Sequence, residues 1–168
     1  QGKYNEAEPL YQQALALRQK LLGDDHPHVA TSLNNLAGLY ESQGKYNEAE
    51  PLYQQALALR QKLLGDDHPH VASSLNNLAL LYYSQGKYKE AEPLYQQALA
   101  LWQKLLGDDH PHVATSLNNL ALLYYSQGKY KEAEPLCQQA LNILEQRLGV
   151  DHPHTIIVRD NLERLRNR

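Results

Sequence analysis

The sequence predicts an all-α fold, an α-solenoid built from antiparallel helix pairs. Its 168 residues divide without remainder into four blocks of 42, which begin at Gln1, Gln43, Gln85 and Gln127. Each block contains two segments whose apolar residues recur at the spacing of an amphipathic helix. Glycine and proline stand between these segments, where helices end and begin. A fixed period with two helices per block indicates stacked units that share a continuous core.

The blocks are close to identical. Blocks one and two differ at three positions, and so do blocks two and three. The differing pairs are Thr31/Ser73, Gly38/Leu80 and Glu41/Tyr83, then Asn47/Lys89, Arg60/Trp102 and Ser73/Thr115. Repeats that are this similar indicate recent duplication or design.

The second block shows the two helices most clearly. Helix A is PHVASSLNNLALLYYS (69–84), and it is followed by a short turn at residues 85–87 whose glycine can adopt a positive φ. Helix B is YKEAEPLYQQALALWQKLL (88–106), and Gly107 is placed to be its C′ residue. Pro93 falls early in helix B, where a missing N–H costs little. The block is therefore predicted to be one antiparallel helix pair.

The segment ASSLNNLALLYYSQGKYKEAEPLYQQALAL (72–101) resembles the tetratricopeptide repeat. The residues that match the signature of that family are Leu75, Leu78, Ala79, Tyr82, Gly86, Tyr88, Ala91, Tyr95 and Ala98. The longer period of 42 residues, which closes with LLGDDHPHVA, is similar to the repeats of kinesin light chain and its bacterial relatives. The resemblance implies a right-handed superhelix that acts as an interaction scaffold, in a bacterial or an engineered array.

The pattern predicts one array over residues 1–168 that starts and ends within a repeat. Its parts are a half repeat made of helix B (1–23), complete repeats at 28–65, 70–107 and 112–149, and a C-terminal capping helix (154–168). Charges replace the apolar pattern in the capping helix, as a terminal repeat requires. The half repeat lacks a preceding helix A, so we expect one side of it to be exposed and to support a weak homodimer. The residues on that side are Leu10, Ala14, Leu17 and Leu21.

All eight histidines lie in four loops with the sequence GDDHPH or GVDHPH. Clustered His and Asp are typical of metal sites, but histidines at i and i+2 across a proline do not converge on one ion. The proline instead fits the first position of a helix, and it drives the preceding histidine out of the α region, as an N-cap requires. The loops are therefore predicted to be helix-initiating turns that need no metal and no other cofactor; the alternative is a metal-responsive array that uses these loops.

Helix A lines a concave, peptide-binding face in tetratricopeptide arrays, and the resemblance places a column of amides and tyrosines on that face. The residues that we expect to contact a peptide are Asn34, Asn35, Ser73, Asn76, Asn77, Leu80, Tyr83, Thr115, Asn118, Asn119, Leu122, Tyr125 and Arg164. Further positions on the same face are Thr31, Gly38, Glu41, Ile157, Asp160, Asn161 and Asn167. An asparagine amide both donates and accepts, so a column of them can pair with an extended backbone. The alternative is that neighbouring side chains or water satisfy these amides.

The composition restricts the classes of function that the chain can have. A net charge of -3 and a charged fraction of 21% give no bias towards nucleic acid, and no apolar run is long enough to span a membrane. The lone Cys137 cannot form an intramolecular disulfide, which favours a reducing, cytoplasmic compartment. The sequence has no phosphate loop, nucleophile elbow or HExxH motif, so we expect no enzyme. The leading hypothesis is a non-catalytic scaffold for a protein or peptide partner; the alternative is a structural or engineered array without a dedicated ligand.

Two residues depart from the repeat. Trp102 stands where the other blocks have Arg18, Arg60 and Leu144, and we expect it to be a partly exposed packing residue. Cys137 replaces a tyrosine of the predicted core, and we expect it to be a small buried hydrophobic residue.

Overall fold

The computed structural model describes residues 4–167, except for the side chain of Asn5. Residues in this range form eight α-helices and no strand. The helices are α1 (Tyr4–Leu22), α2 (Pro27–Ser42), α3 (Tyr46–Leu64), α4 (Pro69–Ser84), α5 (Tyr88–Leu106), α6 (Pro111–Ser126), α7 (Tyr130–Leu148) and α8 (Pro153–Arg166). The all-α class and the alternation of helix B with helix A are confirmed, and α4 and α5 have the bounds that the sequence predicts. The outermost residues of the predicted half repeat and capping helix, 1–3 and 168, lie outside the described residues.

The helices form two compact units, α1–α4 and α5–α8, which we call the first unit and the second unit. Each unit contains two B helices and two A helices in the order B–A–B–A. The chain therefore carries two versions of one arrangement, built from blocks that differ at a few known positions.

The core of the first unit forms where α2 lies against both α1 and α3. Val29 and Leu33 of α2 pack with Ala56 of α3, and all three side chains are buried. Burial of a valine or leucine side chain contributes roughly 1.5–3 kcal/mol. The side chains packed around this cluster are Leu15, Leu52 and Leu59.

In the second unit, α7 packs against α6 on one side and α8 on the other. Ala133 and Ala140 of α7 are completely buried, and Val113 and Leu117 of α6 are buried as well. Small residues on α7 allow the backbones to approach closely, which is the packing that the repeat pattern predicts.

Glycine ends helix B, and proline interrupts its hydrogen bonds near the start. Gly107 follows α5 with a φ of +81°, and its N–H donates to the carbonyl of Gln103 at 2.9 Å. Pro93 is the sixth residue of α5, beyond the first turn, and the helix continues through it. Because proline has no N–H, the carbonyl of Lys89 loses its helical donor. The proline thus costs helix B one backbone hydrogen bond, and the expectation that its missing N–H costs little is wrong.

Over residues 4–167, none of the helices combines the length and the apolar character that crossing a membrane requires.

Candidate peptide-binding surface

The HPH loops are helix-initiating turns, as predicted. In each loop the first histidine is an N-cap with an extended backbone, and the proline follows at the start of the helix. Nδ1 of His68 accepts a hydrogen bond from the backbone N–H of His70 at 3.1 Å, and the other three loops repeat this contact. The imidazole thus satisfies an N–H that has no partner within the helix. Among the residues that the structure describes, no group of three or more His, Cys, Asp or Glu is placed to hold a metal ion.

The aspartates of these loops bond to neighbouring helices. Asp24 Oδ1 accepts a hydrogen bond from Gln19 Nε2 at 3.0 Å, and Asp25 forms a salt bridge with Lys62 at the end of α3. In the second unit, Asp109 lies 3.7 Å from a guanidinium nitrogen of Arg147. Exposed pairs of this kind contribute little stability. These contacts give the loop carboxylates that form them a role in joining the loops to the helices.

Asparagines on consecutive A helices bond to each other. In the first unit, Asn77 Nδ2 of α4 donates to Asn34 Oδ1 of α2 at 3.0 Å. In the second unit, Asn161 Nδ2 of α8 donates to Asn118 Oδ1 of α6 at 3.1 Å. Both pairs are separated by 43 residues, one period plus one, so the first asparagine of an Asn-Asn pair meets the second of the two equivalent positions in the next block. Each bond uses one carbonyl and one N–H, and it arranges the amides in a row across the unit.

The other predicted peptide-binding positions differ in exposure. Three hydroxyls on this face donate to the backbone carbonyl four residues earlier at 3.1 Å: Thr31, Ser73 and Thr115. Asn118 is buried, and the exposed positions are Asn35, Leu80, Thr115 and Arg164. The half-buried positions are Asn34, Ser73, Asn76, Asn77, Tyr83, Asn119, Leu122 and Tyr125. The face therefore presents amides and aromatic rings at intermediate depth, while these hydroxyls are bonded to their own helices.

A cavity of about 390 Å³ opens beside α2 in the first unit. Its walls come from three helices, and the lining residues are Tyr11 of α1, Asn34, Asn35, Gly38, Leu39 and Ser42 of α2, and Tyr53 of α3. Gly38 keeps this space open, because a Cβ atom there would lie 3.3 Å from the hydroxyl of Tyr53. Blocks two and three have leucine at this position.

A carboxylate lies at the edge of the same cavity. Tyr53 donates its hydroxyl to Glu41 Oε2 at 2.8 Å, and Glu41 is half-buried one turn beyond Gly38. Burial raises the pKa of Glu41, although the hydrogen bond from Tyr53 acts in the opposite direction. Burial and the adjacent carboxylate also raise the pKa of the Tyr53 hydroxyl. The sequence analysis assigned the repeat tyrosines to the core and did not predict that Tyr53 lines this cavity. The available signal was Gly38, which stands where blocks two and three have leucine.

A smaller cavity of about 150 Å³ lies in the second unit. It is lined by Thr115 and Asn118 of α6, Leu144 of α7, and His154, Ile157 and Val158 of α8. Thr115, Asn118 and Ile157 are positions that the sequence placed on the peptide-binding face. In each unit, one cavity therefore coincides with predicted contact positions, whereas another cavity of the first unit, of about 430 Å³, is lined by none of them.

The junction between helix B and the following helix A is filled in different ways. Arg60 is buried and donates Nη1 to Ser74 Oγ at 2.7 Å and to the carbonyl of His70 at 3.2 Å. Trp102, at the same position of α5, is buried too and stacks on His112 with ring centroids 4.5 Å apart. The expectation that Trp102 is partly exposed is wrong, because its ring lies against the first turn of α6. Both residues serve packing between repeats.

Cys137 is buried, as predicted. Its thiol lies 3.6 Å from the carbonyl of Val158, and burial raises its pKa to about 11. A protonated thiol in such surroundings is a packing group, not a nucleophile.

Comparison with known proteins agrees with the helix-pair architecture. The tetratricopeptide repeat family matches four overlapping segments, residues 1–62, 33–101, 70–146 and 118–168, which together span the chain. The structure of BtubC (BKLC) from P. vanneervenii is similar, with a TM-score of 0.81 and 28% identity over 98% of this chain and 74% of that one. None of the curated proteins matches the sequence.

Two structures of a Podosopora anserina protein assigned as a kinesin light chain, with nearly identical TPR-like repeats, are also similar. One of them carries a single substitution. Each is 32% identical over 98% of this chain, and the matches cover 77% of the substituted protein and 78% of the other. Their TM-scores are 0.82 and 0.81. The repeats, the helix order and these matches lead to one conclusion: the chain belongs to the tetratricopeptide repeat family, whose members are generally protein-interaction scaffolds, and it has the kinesin light chain-like form of the repeat.

Proposed function

We propose that the protein is a non-catalytic scaffold that binds an extended peptide or partner segment along its A helices. The observation that carries this proposal is the coincidence of cavities with predicted contact positions in both units. Asn34, Asn35 and Gly38 line the cavity of the first unit, and Thr115 and Asn118 line that of the second. The lining of the second cavity is mainly apolar with a few polar groups, the usual setting for ligand recognition, whereas the lining of the first is mainly polar.

The amide rows supply the polar groups. The bond between Asn34 and Asn77 engages the carbonyl of the first residue and one N–H of the second. An amide has two N–H donors and a carbonyl with two lone pairs, so a bonded pair retains further capacity for hydrogen bonds. Because the bond fixes both side chains, a peptide backbone would meet donors and acceptors that are already ordered, which lowers the entropic cost of binding.

The alternative is a structural or engineered array with no dedicated ligand. The same amide pairs favour it, because Asn118 is buried and bonded to Asn161 without any partner molecule. The two functions differ in one measurable property, which is whether a peptide binds to the A helices.

The test is selection from a random peptide library on the whole chain, followed by affinity measurement with the selected peptides. Asn35 is exposed and lines the first cavity, so Asn35→Arg should obstruct binding without disturbing the fold. We expect Asn35→Arg to weaken the affinity by up to about tenfold, the upper end of the effect of losing one uncharged hydrogen bond. The matched control is Gln97→Arg, an exposed amide on helix B.

If both variants bind like the wild type, the A-helix surface is not the binding site. If no peptide is selected above background, the structural alternative is the better account.

We further propose that α1 mediates weak self-association of the 168-residue chain. Leu10, Leu17 and Leu21 are 64%, 56% and 69% exposed. Leu52 and Leu59 occupy the positions of Leu10 and Leu17 in the next block, and they pack against the core of the first unit. A second copy that meets α1 around a two-fold axis would cover these side chains.

Sedimentation velocity over a wide concentration range tests this, with Leu17→Glu as the comparison. We expect concentration-dependent dimers of the wild type and a monomer for Leu17→Glu. A wild-type chain that remains monomeric at high concentration would contradict the proposal.

We propose that the protein is located in the cytoplasm. We also propose that its partner is a protein or peptide and that it binds neither nucleic acid nor a membrane. The single buried thiol of Cys137 and the net charge of -3 support this assignment. Fractionation of cells that produce the protein is the test, and recovery with membranes or outside the cell would contradict it.

A further inference from the structure

The cavity of the first unit differs in chemistry from the rest of the A-helix surface. Blocks one and two differ at three positions, and two of them concern this cavity: Gly38 lines it, and Glu41 accepts a hydrogen bond from Tyr53, which also lines it. Gly38 removes a leucine side chain and opens the space, and Glu41 places a carboxylate where the next blocks have tyrosine. Two changes in a block that is otherwise nearly unchanged thus act on the same volume.

The carboxylate has no cationic partner. Over residues 4–167, no Lys, Arg or His lies within salt-bridge distance of Glu41, and its hydrogen-bond partner is the hydroxyl of Tyr53. The residues that line the cavity are all uncharged. A half-buried carboxylate without a counter-charge attracts a cation, because burial weakens the screening by water.

The walls offer aromatic rings beside the carboxylate. The lining is mainly polar, Leu39 adds a small apolar area on α2, and Tyr11 and Tyr53 contribute rings from the two helices beside it. Aromatic rings attract lysine and arginine, whose apolar stems pack on neighbouring surfaces while the charged group reaches a polar partner. An acidic side chain would be repelled by Glu41, and an apolar one would leave the carboxylate desolvated.

We propose that this cavity is the subsite for a basic side chain, lysine or arginine, of the peptide that binds along the A helices. The inference rests on the proposed function, and it assigns a specificity to the first unit that the second unit does not share. In the second unit the corresponding residues are Leu122 and Tyr125, and Tyr125 packs edge-on against Tyr130 with ring centroids 5.8 Å apart.

Selection of random nonapeptides between constant flanks, on the wild type and on Glu41→Tyr, tests the assignment. Tyrosine occurs at this position in blocks two and three, so the fold accepts it. We expect lysine or arginine at one fixed position of the peptides selected on the wild type, and loss of that preference on Glu41→Tyr.

The selected sequence is then synthesised with an acetylated N-terminus, with the basic residue either kept or replaced by norleucine or glutamate. Acetylation removes the terminal ammonium, so the measurement reports the side chain alone. We expect norleucine to weaken binding to the wild type by at least about tenfold, the loss that one charged hydrogen bond carries. Glutamate should weaken it further, because it would meet Glu41 with a like charge. Glu41→Gln should abolish the difference between lysine and norleucine, whereas the control Glu48→Gln, an exposed glutamate of α3, should preserve it.

The outcomes separate this inference from the proposed function. Selected peptides without a basic position, or equal affinities for lysine and norleucine, overturn the basic subsite and leave peptide binding intact. A lysine preference that survives Glu41→Gln assigns the charge to another surface and also overturns the subsite. Failure to select any peptide overturns both.

Discussion

The complete repeat of the first unit, α2–α3, and that of the second unit, α6–α7, show how few changes alter a repeat surface. At three related positions the first has Gly38, Glu41 and Tyr53, and the second has Leu122, Tyr125 and Cys137. In the first repeat the tyrosine hydroxyl reaches across to the carboxylate, and the glycine leaves a cavity.

In the second repeat the small Cys137 is buried, and its thiol lies 4.0 Å from Asn118 Oδ1. The helix ends, the capping histidines and the amide pairs are the same in both units. The difference teaches that the array keeps its scaffold constant and varies surface chemistry within single repeats.

Giving the first repeat the cysteine of the second should have the largest effect. Tyr53 is buried, so Tyr53→Cys removes a ring from the core and leaves a cavity, at a cost of about 3 kcal/mol. Adding Gly38→Leu should recover about 1 kcal/mol, because a side chain at residue 38 enters the space beside the former hydroxyl. Urea denaturation of the two single variants and the double variant measures the coupling. Strict additivity would show that the two positions do not compensate each other.

A buried hydroxyl in α8 should have an intermediate effect. Thr155 replaces the valine of the other A helices and is fully buried, and over the described residues its Oγ1 has no hydrogen-bond partner. Thr155→Val should therefore stabilise the second unit by about 1–2 kcal/mol, since it removes an unsatisfied polar group without changing shape. Val113→Thr is the reverse control and should destabilise by a similar amount. A neutral or destabilising Thr155→Val would mean that the hydroxyl is satisfied.

The ionisation of Glu41 should have the smallest effect on stability. The pKa of Glu41 is higher in the folded chain than in the unfolded chain, so protonation of Glu41 favours the folded state. This contribution to stability is complete at acidic pH and is lost as the pH rises through the pKa of the folded chain. Glu41→Gln should match the wild type at low pH and be slightly more stable at neutral pH, while still accepting the hydrogen bond from Tyr53. Urea midpoints compared at the two pH values are the check. A variant that is less stable than the wild type at neutral pH would reverse the sign.

Much of the fold could be predicted because the sequence marks each helix boundary. Pro69 begins a helix A and Gly107 follows a helix B, and both boundaries occur where the sequence places them. Proline and glycine act through their own backbone geometry, so their effect is local and can be read without knowledge of packing.

The candidate surface was predicted less completely because its details depend on side chains from different repeats. The adjacent asparagines indicated a polar row, but the bond from Asn77 to Asn34 depends on the offset between stacked helices. The burial of Trp102 likewise depends on His112, which lies in the next helix. Contacts of this kind are set by helix packing and are not encoded in the period alone.

Chemical-shift mapping with a selected peptide tests the central claim, that the A helices form the binding surface, most directly. Backbone amide resonances of the isotope-labelled chain are followed during titration with the selected peptide, which has an acetylated N-terminus and keeps its lysine side chain unmodified. The account predicts perturbations along α2 that centre on Asn35, Gly38 and Glu41, with exposed helix B positions such as Gln97 unchanged. Perturbations confined to the B helices, with α2 unaffected, would contradict it.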